Sequence, residues 1–185
     1  KRGFILPSAA FTIKGKLVRF YDYSDKPPEP GDIVYATVSR IGQHSSLENV
    51  SGRIHIIHNG SKAIFVFGNR YAPDYYEGVV PNNMIEEADL LARSGVIGVV
   101  KAKNALIKDP TRVKILGYVC HEDGRILNTR AFPLITPQKT TKKAPRSSML
   151  LVCGTSMNSG KSMAAAACCW AMTTMGHKVR ASKVT

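Results

Sequence analysis

Between Pro137 and Thr185 there is no Asp or Glu, although the same stretch holds eight Lys or Arg; residues 1–136 carry 18 basic against 13 acidic side chains. The net charge of +13 is therefore uneven. A basic segment of this kind attracts phosphates, nucleic acid or acidic partners. Long apolar runs are also missing. Even the run through Ala164 to Met172 falls far short of the ~20 residues that a membrane-spanning helix needs, so no membrane partner is expected. No apolar leader region follows Lys1, which removes the pattern of a secretory signal from these residues. Cys120, Cys153, Cys168 and Cys169 show no CxxC spacing, and three of them sit in apolar runs. They are read as buried thiols in a reducing compartment, and the chain as cytoplasmic. There is no internal repeat or low-complexity tract.

What is present is the composition of a globular chain of 185 residues, 44% hydrophobic and 21% charged, long enough for one good core or for a compact domain and part of a second. The opening residues through PSAAFTIKGKLVRF read as an extended arm and then a strand, stopped by the Pro-rich YDYSDKPPEPGD at 21–32. IVYATVSRI, GRIHIIH, AIFVFGNRY and EGVVP read as short strands between Gly, Asn and Ser turns, with HNGSK at 58–62 as a hairpin signal. Asn83 with Glu86 three residues later suggests a capped helix over MIEEADLLARSG, closed by Gly95. VIGVVKAK, TRVKILGYVC and RILNTRAF are further strands, the last two joined through EDG at 122–124. PLITPQKTTKKAPRSS at 133–148 holds three prolines, five Ser or Thr and four basic residues, the composition of a linker.

After it, MLLVCG lacks clean alternation and reads as a buried parallel strand. KSMAAAACCWAMTTMG reads as a helix ending at Gly176, and HKVRASKVT as the start of another strand. Between the first strand and the helix lies Gly154-Thr-Ser-Met-Asn-Ser-Gly160-Lys161-Ser162. Small residues here let backbone N–H groups converge on an anion, and the helix directs its positive end to the same place. Lys161 would reach the β- and γ-phosphates of ATP, and Ser162 would put its hydroxyl on magnesium, while Gly154, Thr155, Ser156, Asn158, Ser159 and Gly160 would shape the cradle. Five residues separate the first glycine from GKS, one more than the usual spacing.

That longer loop resembles the one in the dethiobiotin synthetase-like ATPases, a branch of the P-loop superfamily related to the MinD and ParA type. Gly154, Thr155, Gly160, Lys161 and Ser162 fall on the loop positions, Gly176 on the helix end and Lys183 on the lysine of the second strand. The resemblance implies ATP and magnesium as cofactors, and a contact from Lys183 to a substrate carboxylate or carbamate; Val184 stands where those enzymes usually have proline. The dimerising branch has a lysine early in its loop, where this chain reads Ser156-Met157-Asn158.

Other residues offer weaker chemistry. Arg70, Tyr71, Asp74 and Tyr75, with Tyr76 and Glu77, form a polar aromatic cluster that could line a substrate cleft or stack on a base; aromatics closing the end of a barrel are the alternative. His55 and His58 point to opposite faces of a strand, which disfavours a metal pair. His44, in the polar QHSSLEN, reads as exposed, and Cys120 as the end of a core strand.

The expected fold is an α+β N-terminal domain over 1–132, mostly antiparallel and barrel-like with one short helix. A linker over 133–148 and the first β-loop-α-β unit of an incomplete α/β P-loop domain over 149–185 follow. Two candidate strands and no acid follow the linker, so the domain is expected to continue beyond Thr185 and the 185 residues alone not to be a competent ATPase. The expected function of the complete protein is that of an ATP-dependent ligase or kinase acting on a small carboxylate-bearing substrate, with a homo-oligomer allowed. The alternative is a nucleic-acid- or partner-binding module carrying a structural P-loop fragment.

Overall fold

The computed structural model describes residues 4–133, 147–155 and 157–182. The chain divides into two compact units, Lys1–Pro137 and Gln138–Thr185.

Among its described residues the first unit holds ten strands: β1 (Phe20–Asp22), β2 (Ile33–Arg40), β3 (Ser46–Glu48), β4 (Ile54–Ile56), β5 (Lys62–Phe67), β6 (Arg70–Tyr71), β7 (Tyr76–Val79), β8 (Glu87–Leu90), β9 (Val96–Lys103) and β10 (Arg112–Cys120). Eight of them form one sheet in the order β1-β10-β2-β5-β9-β7-β6, with β8 off this path and paired to both β10 and β9. β3 and β4 make a separate two-stranded ribbon.

The expectation of a barrel-like domain with one helix is overturned, whereas its mostly antiparallel character holds, since all the strand pairs but one are antiparallel. The sheet is mixed, because β5 and β9 run parallel through Val66↔Val96 and Phe67↔Ile97, and its path ends in two edge strands, β1 and β6. The segment expected to be helical contains β8 instead, whose Asp89 lies opposite Arg112 of β10 and opposite Gly98 of β9. Pairing on both sides and burial of Ala88, Leu90 and Leu91 outweigh the local helical preference of Glu, Ala and Leu.

Alternation along the strands explains how the sheet buries both faces. From β2, Val34, Ala36 and Val38 enter one cluster with Phe65 and Phe67 of β5 and Val113 and Ile115 of β10. Ile33, Ile64, Val66 and Val119 point the other way, and there the N-terminal arm covers them with Ala10 and Ile13. Burial of each large aliphatic or aromatic side chain in these clusters contributes about 1.5–3 kcal/mol. The arm holds 3-10 turns at Ser8–Ala10 and Gly15–Leu17 and leads into β1, and RILNTRAF forms two isolated bridges, at Ile126 and Asn128, and a 3-10 turn at Thr129–Ala131. The EDG turn does join an antiparallel pair, Cys120↔Ile126, with Gly124 at φ 81°.

Two buried polar residues tie loops to this sheet. Asp32 is 2% exposed and accepts from the Glu29 N–H at 2.9 Å and from Asn128 Nδ2 at 2.8 Å, with Lys26 Nζ 3.6 Å away. Thr111 is fully buried; its Oγ1 accepts from the Gly42 N–H at 2.8 Å and donates to the His44 carbonyl at 2.6 Å.

In the second unit the described residues contain one helix, α1 (Lys161–Thr174). Neither the expected strand through MLLVCG nor the described part of HKVRASKVT takes strand structure. A lone strand has no ladder partner for its backbone groups, so apolar sequence alone does not fix it. The β-loop-α-β expectation is thus corrected to loop and helix among the described residues.

Candidate functional site

The loop before α1 is shaped by its small residues. Asn158 is held at φ 60° and Gly160 at φ 80°, ψ 3°, both left-handed. Gly160 occupies the N-cap of α1, a position where glycine adopts this geometry without the clash that a Cβ would bring. Lys161 is the first helical residue, and its Nζ donates to Ser159 Oγ at 3.1 Å. Its aliphatic stem lies back across the start of the loop. A Cβ placed on Gly154 would stand 2.9 Å from Lys161 Cγ and closer still to Ser159 Oγ. The loop therefore curls until its first glycine touches its lysine.

The first intrahelical bond runs from the Ala164 N–H to the Gly160 carbonyl at 3.0 Å. The N–H groups of Ser162 and Met163 consequently lie in the first turn, where a helix has no acceptor of its own. No acidic side chain occupies that turn, so the positive end of the helix dipole is not offset there. Gly154, Thr155, Asn158, Ser159, Gly160 and Ser162 are exposed and Lys161 is half-buried. Ser156 and Lys183 lie outside the described residues.

These residues suit a phosphate group. The described loop residues are exposed, and the lysine is adjacent. The hydroxyl expected to meet magnesium, that of Ser162, is exposed. Among the described residues no group of three or more His, Cys, Asp or Glu could hold a metal ion.

α1 itself buries none of its side chains. Met163 is 78% exposed and Trp170 72%, and Lys161 is the only charged residue in the helix. No helix among the described residues is long and apolar enough to cross a membrane.

In the first unit, Arg70 and Tyr75 of the predicted cleft come together. Arg70 on β6 lies over the ring of Tyr75, 5.8 Å from its centroid, while Tyr71 is 64% exposed and Asp74 is also exposed. The residue that sequence reading missed is His44. Rather than being exposed it is half-buried, stacked on Tyr75 at 5.7 Å and edge-on to Tyr76 at 5.9 Å. Its Nε2 lies 3.2 Å from the Leu91 carbonyl, which can only accept, so Nε2 carries the proton. Arg70 Nη1 donates to the same carbonyl. Burial first, then the charges of Arg70 and Arg93, hold His44 below the ordinary histidine value, and the Leu91 bond opposes them in part. Burial also lowers the Arg70 guanidinium. Tyr76 donates its hydroxyl to the Lys108 carbonyl at 2.8 Å, and burial with Asp109 and Asp89 pushes it up to about 12.

The remaining residues weighed for chemistry are accounted for locally. His55 Nε2 lies 3.1 Å from Asn49 Nδ2. Cys120 is buried, its Sγ contacts the Tyr118 carbonyl at 3.5 Å, and burial raises its thiol, the opposite of what a nucleophile needs. A shallow groove of about 470 Å³ is lined by Lys26, Asp32, Arg125, Asn128 and Arg130 among others, away from the Arg70–Tyr75 cluster.

Comparison with protein-family models, curated proteins and solved structures returns no match.

Proposed function

We propose that the Gly154–Ser162 loop and the first turn of α1 bind the phosphates of ATP, and that the complete protein uses ATP with magnesium as a ligase or kinase on a small carboxylate-bearing substrate. The observation that carries this reading is the contact of the Lys161 stem with Gly154 across a left-handed Gly160 at the head of α1. An ammonium group, small-residue backbone and the positive end of a helix close together in the chain support this reading, because each stabilises an anion.

In this reading Lys161 neutralises charge on the phosphoryl oxygens, exchanging its Ser159 hydroxyl partner for phosphate. Ser162, second in the helix, offers its hydroxyl to the metal. Gly160 keeps the loop tight enough for the backbone to approach the anion. Magnesium, when bound, supplies charge neutralisation to the phosphates. Lys183 would meet the acceptor's carboxylate.

The test is calorimetric titration of the 185-residue chain with ATP and magnesium, beside Lys161→Ala. Saturable binding that the substitution weakens by at least about tenfold supports the reading. Equal binding by both proteins, or none by either, overturns it; retention of oligonucleotide by a chain that ignores ATP would instead favour a nucleic-acid-binding module.

A further inference from the structure

His44 joins three separate pieces of the first unit. It belongs to the loop after β2, its ring packs on Tyr75 and Tyr76 at the β6–β7 hairpin, and its Nε2 bonds the Leu91 carbonyl at the β8–β9 turn. The hairpin turn is closed by the Ala72 N–H to the Tyr76 carbonyl at 3.0 Å and the Tyr75 N–H to the Ala72 carbonyl at 2.8 Å. The Leu91 carbonyl is thus a shared acceptor, serving a neutral imidazole from one side and a guanidinium from the other.

A carbonyl oxygen has two lone pairs and accommodates one neutral and one charged donor without difficulty. Two cations on one oxygen repel each other, and in a partly buried site water screens that repulsion weakly. The charged groups acting on His44 are Arg70 of β6 and Arg93 of the β8–β9 turn, both positive, and the rings facing it are those of Tyr75 and Tyr76.

The geometry points to a pH-operated latch: protonation of His44 puts a second cation on the Leu91 carbonyl that Arg70 already occupies, and loosens the β6–β7 hairpin from the β8–β9 turn. Loosening frees the Arg70 guanidinium and the face of Tyr75, two residues of the predicted cleft that come together in the structure. The direction follows from the charges. With neutral histidine the latch is closed, and acid opens it as pH falls through and below the ordinary histidine range.

The experiment follows the full chain by NMR. The His44 ring signal, assigned by its loss in His44→Phe, is titrated, and protection of the Ala72 and Tyr75 amides is measured at about pH 7.5 and about pH 5 after correction for intrinsic exchange. The expected result is a His44 midpoint below 6.5 and a fall in protection of about threefold or more that is absent in His44→Phe, which keeps a stacking ring but cannot titrate. A midpoint at or above 6.5, unchanged protection in the wild-type chain, or the same fall in both proteins overturns the latch. Should His44→Phe fail to fold, the wild-type midpoint and the wild-type protection decide alone.

Discussion

Lys161 lies across Gly154, seven positions earlier in the chain, so closely that a Cβ on the glycine would stand 2.9 Å from Lys161 Cγ. The two ends of the loop are in contact, and the lysine reaches back over the backbone it would help to make a phosphate cradle. Gly154→Ala must push Lys161 and Ser159 aside. Affinity for ATP with magnesium is expected to fall by about tenfold or more, since a misplaced cradle loses charge-assisted bonds. Because the loop is exposed, the unfolding midpoint is expected to stay where it is. Calorimetry beside thermal denaturation checks both halves, and equal affinity would show that the contact does not matter to binding.

Thr111 provides a test of the fold that is independent of any ligand. It links the loop bearing His44 to the sheet through Gly42 and His44 backbone groups, and its own carbonyl accepts from the Leu90 N–H at 2.8 Å. Thr111→Val keeps the shape but strands a part-buried N–H and a part-buried carbonyl, a loss of about 1 kcal/mol or more for each group left unsatisfied. Thr111→Ser keeps the hydroxyl and is expected to cost clearly less. Denaturant unfolding of both variants distinguishes a hydrogen-bonding role from one of packing, for which serine and valine would rank the other way.

How much of this was legible in sequence follows from the distance over which each feature is decided. β2 and β5 could be read because Val34, Ala36 and Val38 alternate with Ile33 and Tyr35, so the pattern carries its own burial. The Gly154–Ser162 loop could be proposed as a phosphate cradle from sequence because its parts lie within nine consecutive residues. The β8 segment could not, since Asn83 and Glu86 have the spacing of a helix cap, and what defeats it is pairing with Arg112 and Gly98, residues far along the chain. His44 was missed for the same reason: its polar neighbours say nothing of the tyrosine that stacks on it from 31 positions away. The eight-stranded order with a parallel β5–β9 pair was likewise beyond a reading that sees strands but not their partners.

The two buried tyrosines predict behaviour in base. Tyr76 and Tyr118 are both pushed up to about 12, chiefly by burial, and Tyr118 also by Asp32 and Glu29. In the unfolded chain a tyrosine ionises near 10. Each therefore contributes stability that is complete below pH 10 and is lost as pH rises through about 12, because the unfolded state gives up its proton first. Each accounts for on the order of 2 kcal/mol. Unfolding followed from about pH 9 to about pH 12 should show this decline, and Tyr118→Phe should flatten it while also losing the bond to the Lys26 carbonyl at 2.7 Å. An equally steep decline in the variant would assign it to other groups.

Trp170 is the single tryptophan of the chain and reports on α1 alone. At 72% exposure its indole is open to water, and the helix around it shows Met163 and Met175 to solvent as well. A helix so short of charge is usually covered, so its fluorescence tells whether anything covers it. For the isolated chain at low concentration, emission should be that of a hydrated indole and fully quenched by iodide. ATP bound at the other end of α1 should leave that quenching largely unchanged. A blue-shifted emission that resists iodide and grows with protein concentration would mean instead that chains cover one another's α1. Trp170→Lys should then return the species to monomer in sedimentation while leaving the first unit folded.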